Sequence, residues 1–502
     1  MSLSIGAATK LTHLPAAGSK PAAKMPLANI SQANGMAVAN PDTSSSAKLT
    51  NPKTAALATN VVSLPKKSGN ANVDAVLAGG NNWWHIANAT ASLSTTKITP
   101  DVLQIDPAQS RHKLTYAFLA GTESYLTKED QTGFAALDDG QKTAVKSAFD
   151  YLASLINVSF SQASDIESAD IVFGSNAQPS SAGYADYPNA VSGGRAKLML
   201  ANNGDSAKNN AASNLSTQGT YGWETLIHEI GHTMGLKHPG NYNAGGGGTP
   251  GPYLSASLDQ RAVSIMSYHN PPASKLISVK SVSTAHGIGA STTVINANPK
   301  TYGVYDIAAL QYLYGANLTT SSPASLSLSN SYFEYQTLWA PKGVKIDASA
   351  TSQANIFDLR EGGFSSVAMK FKADYSKAIS DSLVSQNFKP ANASGTADAI
   401  LKTSSLMSSL YNGKNNLALS FGSRFSQIDG GAGSDSFYAS TYSASIDGKG
   451  GSNQLYLMGT AKDWAIDKTK GTATNAQTKA VIAYKNIQKL AFYAASTSLM
   501  HA

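Results

Sequence analysis

The 502-residue chain contains no cysteine. That absence excludes disulfides, thiolate metal ligands and any mechanism built on a sulfur nucleophile. An extracellular protein of this composition must be stabilised by its core or by bound ions. Charge is scarce as well. Only 14% of residues are charged while 42 are glycine, which points to a turn-rich, strand-rich chain rather than a helical one. No apolar run approaches the length of a membrane span. The N-terminus lacks a basic start followed by a sustained apolar stretch, so a cleavable secretory signal is not evident.

Basic charge is present, with a pI near 9.1, but it is badly placed for binding nucleic acid. Residues 1–73 hold seven lysines against the single acid Asp42, and so carry six of the seven net positive charges. No basic stripe interleaved with aromatics marks the rest, which excludes nucleic acid as a partner. Residues 1–75 are rich in Ala, Ser, Asn, Lys and Pro and nearly free of aromatics. Such a segment buries too little apolar area to offset its ordering entropy, so it is expected to be a disordered leader or propeptide. The length calls for two or three domains.

Beyond the leader, Leu137–Phe160 has the spacing of a helix, with Val145, Phe149, Leu152 and Ile156 on one face and Asp138–Asp139 as its cap. Lys113–Leu119, Ala169–Phe173, Ser181–Tyr187 and Lys197–Leu200 have the pattern of strands. Residues 241–300 are expected to be loop-rich, and Thr301–Asn317 a second helix closed by Gly315.

The chemistry lies in Thr225–Gly240, T-L-I-H-E-I-G-H-T-M-G-L-K-H-P-G. His228 and His232, four residues apart on a helix, stack one above the other and can each offer a ring nitrogen to one zinc ion. Glu229 is placed to take a proton from the attacking water rather than to bind the metal. A helix cannot deliver a third ligand to the same point by continuing. Gly235 permits the positive-φ turn that brings His238 back. Five specified residues at these spacings form the extended metalloprotease signature, H-E-x-x-H-x-x-G-x-x-H.

The C-terminal part changes character. Gly430–Tyr438, G-G-A-G-S-D-S-F-Y, fits the nine-residue calcium repeat G-G-x-G-x-D-x-U-x, and Ile428, Phe437, Ile446 and Leu455 recur every nine residues. Gly430, Gly431, Gly433 and Asp435 are its candidate calcium residues. Eighteen residues on, Asn453 stands where an aspartate is expected, so fewer calcium sites survive than in a full repeat array.

The zinc motif with its following P-G-N-Y-N, together with the later S-I-M-S-Y (Ser264–Tyr268), resembles the serralysins. These are secreted bacterial zinc endopeptidases of the metzincin clan with a calcium β-roll. A-L-D-D-G-Q, A-D-I-V-F-G, Y-D-I-A-A-L-Q-Y-L-Y-G-A-N and D-L-R-E-G-G-F-S-S-V extend the resemblance over about 110–370, and more loosely over 415–495. It implies an α+β metzincin-type protease domain (76–320) followed by a β-roll or β-sandwich-like domain (321–502). His228, His232 and His238 would bind zinc, with Tyr268 as an extra ligand that swings away to stabilise the oxyanion. Glu229 would act as base and then acid, and Met266 would form the floor beneath the metal. Gly183, Tyr184 and Ala185 align with the strand that binds substrate.

The resemblance also implies a zymogen, protein or peptide substrates and export by type I secretion machinery. The chain departs from the family in three places: Ala340 and Lys345 replace expected calcium-binding carboxylates, residues 374–415 form an insertion, and S-T-S-L-M-H-A closes the sequence. The alternative is a catalytically silent binding protein built on the same protease-plus-roll scaffold.

Overall fold

The computed structural model describes residues 68, 70–79, 82–84, 112–188, 195–243, 247–284, 287–320, 325–402, 404–494, 496 and 498–500, together with the backbone of 35–38. Most of the expected leader lies outside the described residues.

A mixed sheet forms the floor of the N-terminal half. Its strands are β1 (Gly35–Val38), β2 (His112–Phe118), β3 (Val158–Gln162), β4 (Ile171–Asn176), β5 (Ser181–Ala185) and β6 (Ala196–Ala201), in the order β1-β5-β6-β4-β2-β3. All pairings are parallel except β5 against β6, where Gly183 faces Leu200. Helix Asp139–Leu155 starts in a capping box: Gln141 N donates to Asp138 Oδ1 at 2.8 Å and Asp138 N donates to Gln141 Oε1 at 2.9 Å. The helix ends at Leu155 rather than Phe160. Ile156 is extended (φ −122°, ψ 160°), and Val158–Phe160, opening with the β-branched Val158, joins the sheet in β3. Sheet pairing overrides the apolar spacing there. Val145, Phe149 and Leu152 are buried as expected.

Residues 241–300 hold more order than their composition suggests. Strands β7 (Lys275–Thr284) and β8 (Gly287–Asn296) form a hairpin in register from Lys275↔Asn296 to Thr284↔Gly287. Against it pack helices Lys372–Ser385 and Pro390–Ile400 from the inserted stretch. Ile277 and Val279 of the hairpin share a separate core with Ile379, Leu383 and Ile400. The two stretches left without a structural role by the sequence therefore make one subdomain.

Helix Val304–Tyr314 is buried on every face, not only along Ile307, Leu310, Leu313 and Tyr314. Gly315 ends it at φ +75°. Its apolar surround explains why the lone acid Asp306 must find partners inside the protein.

Towards the C-terminus, short parallel strands form two sheets. Ile346, Ile428, Ile446 and Tyr484 stand in register on one. Phe357, Phe437, Leu455 and Leu490 stand in register on the other. The nine-residue period thus carries the chain from one sheet to the other, with an 18-residue return to the same sheet. Ile428, Phe437, Ile446 and Leu455 meet in one core.

Candidate metal centre

Helix Tyr221–Thr233 packs against β5 and β6 with nearly every residue buried. It ends in a Schellman motif: Leu236 N donates to Gly231 O at 2.9 Å and Gly235 N to His232 O at 3.0 Å, with Gly235 at φ +90°. Glycine is required here twice over, because a Cβ at Gly235 would lie 2.4 Å from Asn82 O. This turn returns His238 to the helix face that bears His228 and His232.

The three Nε2 atoms form a triangle with edges of 3.1, 3.2 and 3.3 Å. Each Nδ1 faces a carbonyl, which can only accept: Ile265 O at 2.9 Å, Leu236 O at 2.7 Å and Tyr242 O at 3.1 Å. The protons therefore sit on Nδ1, and three Nε2 lone pairs converge with no hydrogen between them. Neutral imidazoles are further favoured because burial holds all three below the usual histidine range, His232 down to about 3. An ion bonded tetrahedrally at about 2.0–2.1 Å needs nitrogens roughly 3.3 Å apart, which this donor set provides. Among the described residues this is the one cluster of three or more histidine or carboxylate groups close enough to hold a metal.

Glu229 is fully buried beside the triad, and neither carboxylate oxygen has a hydrogen-bond partner. Burial pushes its carboxyl well above the usual range; a neighbouring dication would draw it down again. Tyr268 is 9% exposed, and its hydroxyl is likewise without a partner. Its ring lies 4.5 Å from that of His238 and 4.8 Å from that of Tyr242, centroid to centroid. Burial, then the nearby Glu229, raise its phenol well above the ordinary value. Met266 is buried under the helix, where a Cβ at Gly231 would meet its sulfur at 2.9 Å. The small residue between the two helical histidines is what admits the methionine.

Strand β5 runs alongside. A Cβ at Gly183 would stand 3.0 Å from Glu229 Cγ. Tyr184 turns away from the three histidines, donating to Asp130 Oδ1 at 2.6 Å and accepting from Asn176 Nδ2 at 2.8 Å. The outer edge of β5 carries β1, with Ala37 opposite Tyr184 and Val38 opposite Ala185. The calcium candidates Gly430, Gly431, Gly433 and Asp435 lie in a turn between the two C-terminal sheets, away from this centre. The Asp435 carboxylate accepts from Gly431 N at 2.8 Å and from Asn355 N at 2.7 Å.

Four supports of the centre lie outside the residues that sequence reasoning singled out. Arg261 Nε lies 3.0 Å from Glu224 Oε1 in an ion pair with both side chains at most 2% exposed, and its hydrogen is donated to Ser267 O at 3.2 Å. Asp306 accepts from Ser264 Oγ and from Ile265 N, both at 2.6 Å, and so holds the backbone whose carbonyl orients His228. The ammonium of Lys237 donates to Ala75 O at 2.6 Å and Pro252 O at 2.9 Å. Trp84 Nε1 donates to Thr233 O at 2.8 Å. The last two tie residues 75 and 84 to the histidine turn. The signal that was available is an isolated charge within an apolar helix, as at Asp306.

Comparison with known proteins agrees with this geometry. The profile of metallo-peptidase family M12 matches residues 133–278. Metallopeptidase AprA of Pseudomonas marginalis is 31% identical over 260 residues, covering 51% of this chain and 54% of that one. Serralysin of Proteus mirabilis is 32% identical over 255 residues, covering 45% and 48%. Serralysin G of Dickeya chrysanthemi is 31% identical over 214 residues, covering 41% and 40%. The chain thus spans about half the length of the curated relatives it matches. The segment similar to metallo-peptidase family M12 contains all three converging histidines, and over about half its length the chain is similar to the serralysins.

Proposed function

We propose that the protein is a secreted zinc-dependent endopeptidase that hydrolyses peptide bonds in protein substrates. The observation that carries this reading is three inward Nε2 lone pairs beside a buried carboxylate that has no other partner. His228, His232 and His238 would hold the ion, with Tyr268 as a further oxygen ligand. Zinc, when bound, supplies a Lewis acid that activates water near neutral pH and polarises the scissile carbonyl. Glu229 takes a proton from the attacking water and passes it to the leaving amine, acting first as base and then as acid. The Tyr268 hydroxyl donates to the oxygen on which negative charge develops. Backbone groups of Gly183–Ala185 pair with an extended substrate, and the missing Cβ at Gly183 leaves room beside Glu229.

Because Gly35–Val38 already pairs with that edge, we read the leader as a zymogen segment whose removal frees the strand. The family resemblance supports export by type I machinery. The expected test is direct. The purified protein should hold one zinc per chain, lose zinc and casein cleavage together on chelation, and regain both when zinc is returned. Cleavage that survives complete zinc removal would overturn the reading.

We also read the C-terminal strands as an RTX-type roll with a reduced calcium requirement. Asp435 directs its oxygens at backbone N–H groups, and Asn453 Oδ1 accepts from Asp435 N at 2.8 Å. Lysines stand beside the remaining acids: Lys449 and Lys485 lie 2.8 and 3.0 Å from Asp447, and Lys345 lies 3.1 Å from Asp429. Burial alone would raise the Asp447 carboxyl. Hydrogen bonds from Lys449, Asn486 and Lys485 outweigh it and hold the group well below its usual value. A depressed folded-state pKa gives stability that is present above about pH 4 and lost as pH falls below it. A calcium-selective chelator should therefore shift the melting temperature of this domain little, whereas acidification below about pH 4 should lower it. Unfolding on calcium removal at neutral pH would contradict this.

A further inference from the structure

The loop after the third histidine contains a residue with three distinct attachments to the metal centre. The Tyr242 carbonyl accepts from His238 Nδ1 at 3.1 Å. Its ring lies against that of Tyr268, centroids 4.8 Å apart and planes 26° from parallel. Its hydroxyl donates to Asp259 Oδ1 at 2.6 Å, and the same carboxylate oxygen accepts from Ser267 Oγ at 2.6 Å. Gly240 makes this possible, because a Cβ there would come 2.8 Å from Asp259 Oδ2 and collide with the Tyr242 ring.

Tyr268 therefore rests against both His238, at 4.5 Å, and an aromatic wall, the Tyr242 ring at 4.8 Å, these two rings being themselves 5.7 Å apart. Its own hydroxyl is bonded to nothing. A phenol that must alternate between two partners needs a fixed surface along which its ring can turn. A stacked ring supplies one without offering a competing hydrogen bond. The wall itself is pinned: Asp259 receives two short hydrogen bonds, one from the wall residue and one from Ser267, the neighbour of Tyr268.

We propose that Tyr242, anchored by Asp259, is a positioning residue that sets the path and resting place of the Tyr268 side chain. This rests on the reading of Tyr268 as a metal ligand and oxyanion donor. The interaction is aromatic contact rather than charge, so the ring should matter more than the hydroxyl.

The test uses the full chain reconstituted with copper(II), in which a coordinated tyrosinate gives a charge-transfer band in the visible spectrum. Wild type should show the band, and Tyr268→Phe should abolish it. A wild type without the band, or a band that persists in Tyr268→Phe, overturns the reading of Tyr268 itself. Given the band, Tyr242→Leu should lose at least half its intensity at one bound copper per chain. Its zinc form should lose about tenfold in kcat with KM changed less than twofold. Tyr242→Phe should restore most of the band. An unaltered band and kcat in Tyr242→Leu overturns the positioning role. If Tyr242→Leu cannot hold one metal per chain, the same reading is taken on Tyr242→Met, which removes the ring but keeps a long apolar side chain in its place. An unchanged band there also overturns the proposal and makes Tyr242 a structural part of the metal loop.

Discussion

Glu229→Gln is expected to keep one zinc per chain and lose about 10²–10⁴-fold in kcat, the range set by removing a general acid–base group. The substitution preserves size and shape in a fully buried position, so the helix and the three imidazoles should be undisturbed. What it removes is the ability to accept a proton and hand it on. Neither oxygen of Glu229 has a structural hydrogen bond, so no stabilising contact is lost with the charge. The amide instead relieves a burial penalty, and the variant should melt no lower than wild type. KM should change little, because in the proposed binding mode substrate would be held by backbone pairing along Gly183–Ala185 and not by the carboxylate. A loss below tenfold in kcat with zinc retained would remove Glu229 from the proposed role.

Arg261→Met is expected to destabilise the folded protein by about 3–5 kcal/mol, the range for breaking one side of a buried ion pair. Arg261 links the first turn of the histidine helix, through Glu224, to the turn that carries Met266 and Tyr268, through Ser267 O. Asn298 also faces Glu224, with its amide 3.0 Å from Oε2 once oriented by its partners. Burial raises the Glu224 carboxyl and Arg261 draws it back. Without the guanidinium the folded state should bind that proton more tightly than the unfolded chain does. Stability of Arg261→Met should therefore fall as pH rises above about 4.3, until the folded-state group has ionised. The double variant Glu224→Met, Arg261→Met should recover most of the loss, because no orphaned charge remains. Denaturant unfolding of the wild type and both variants across pH 4–8 would check both sign and size. A double variant as unstable as Arg261→Met would show that shape, not charge, carries the effect.

The convergence of the three histidines was legible in the sequence because its geometry is local. His228 and His232 share a helix face, and Gly235 makes the return of His238 a matter of one turn. The supports were not legible, because each joins residues far apart in the chain. Arg261 meets Glu224 across 37 residues and Lys237 meets Ala75 across 162. Gly235 illustrates the difference. Its φ of +90° follows from the motif, whereas the close approach of Asn82 O depends on where a distant segment packs. The helix end at Leu155 was missed for a related reason. Ile156–Phe160 keeps an apolar spacing that either a helix or a strand could use, and the neighbouring β2 decides between them. In the hairpin β7–β8 the alternating Ile277 and Val279 were readable, but their core partners come from the inserted helices about a hundred residues later.

The most direct test of the account is to follow new amino termini released from an unfolded polypeptide by protein carrying one zinc per chain and freed of its leader. The account predicts turnover at internal peptide bonds that stops when the metal is chelated. A preparation that holds one zinc on His228, His232 and His238, yet releases no new amino termini, would contradict it.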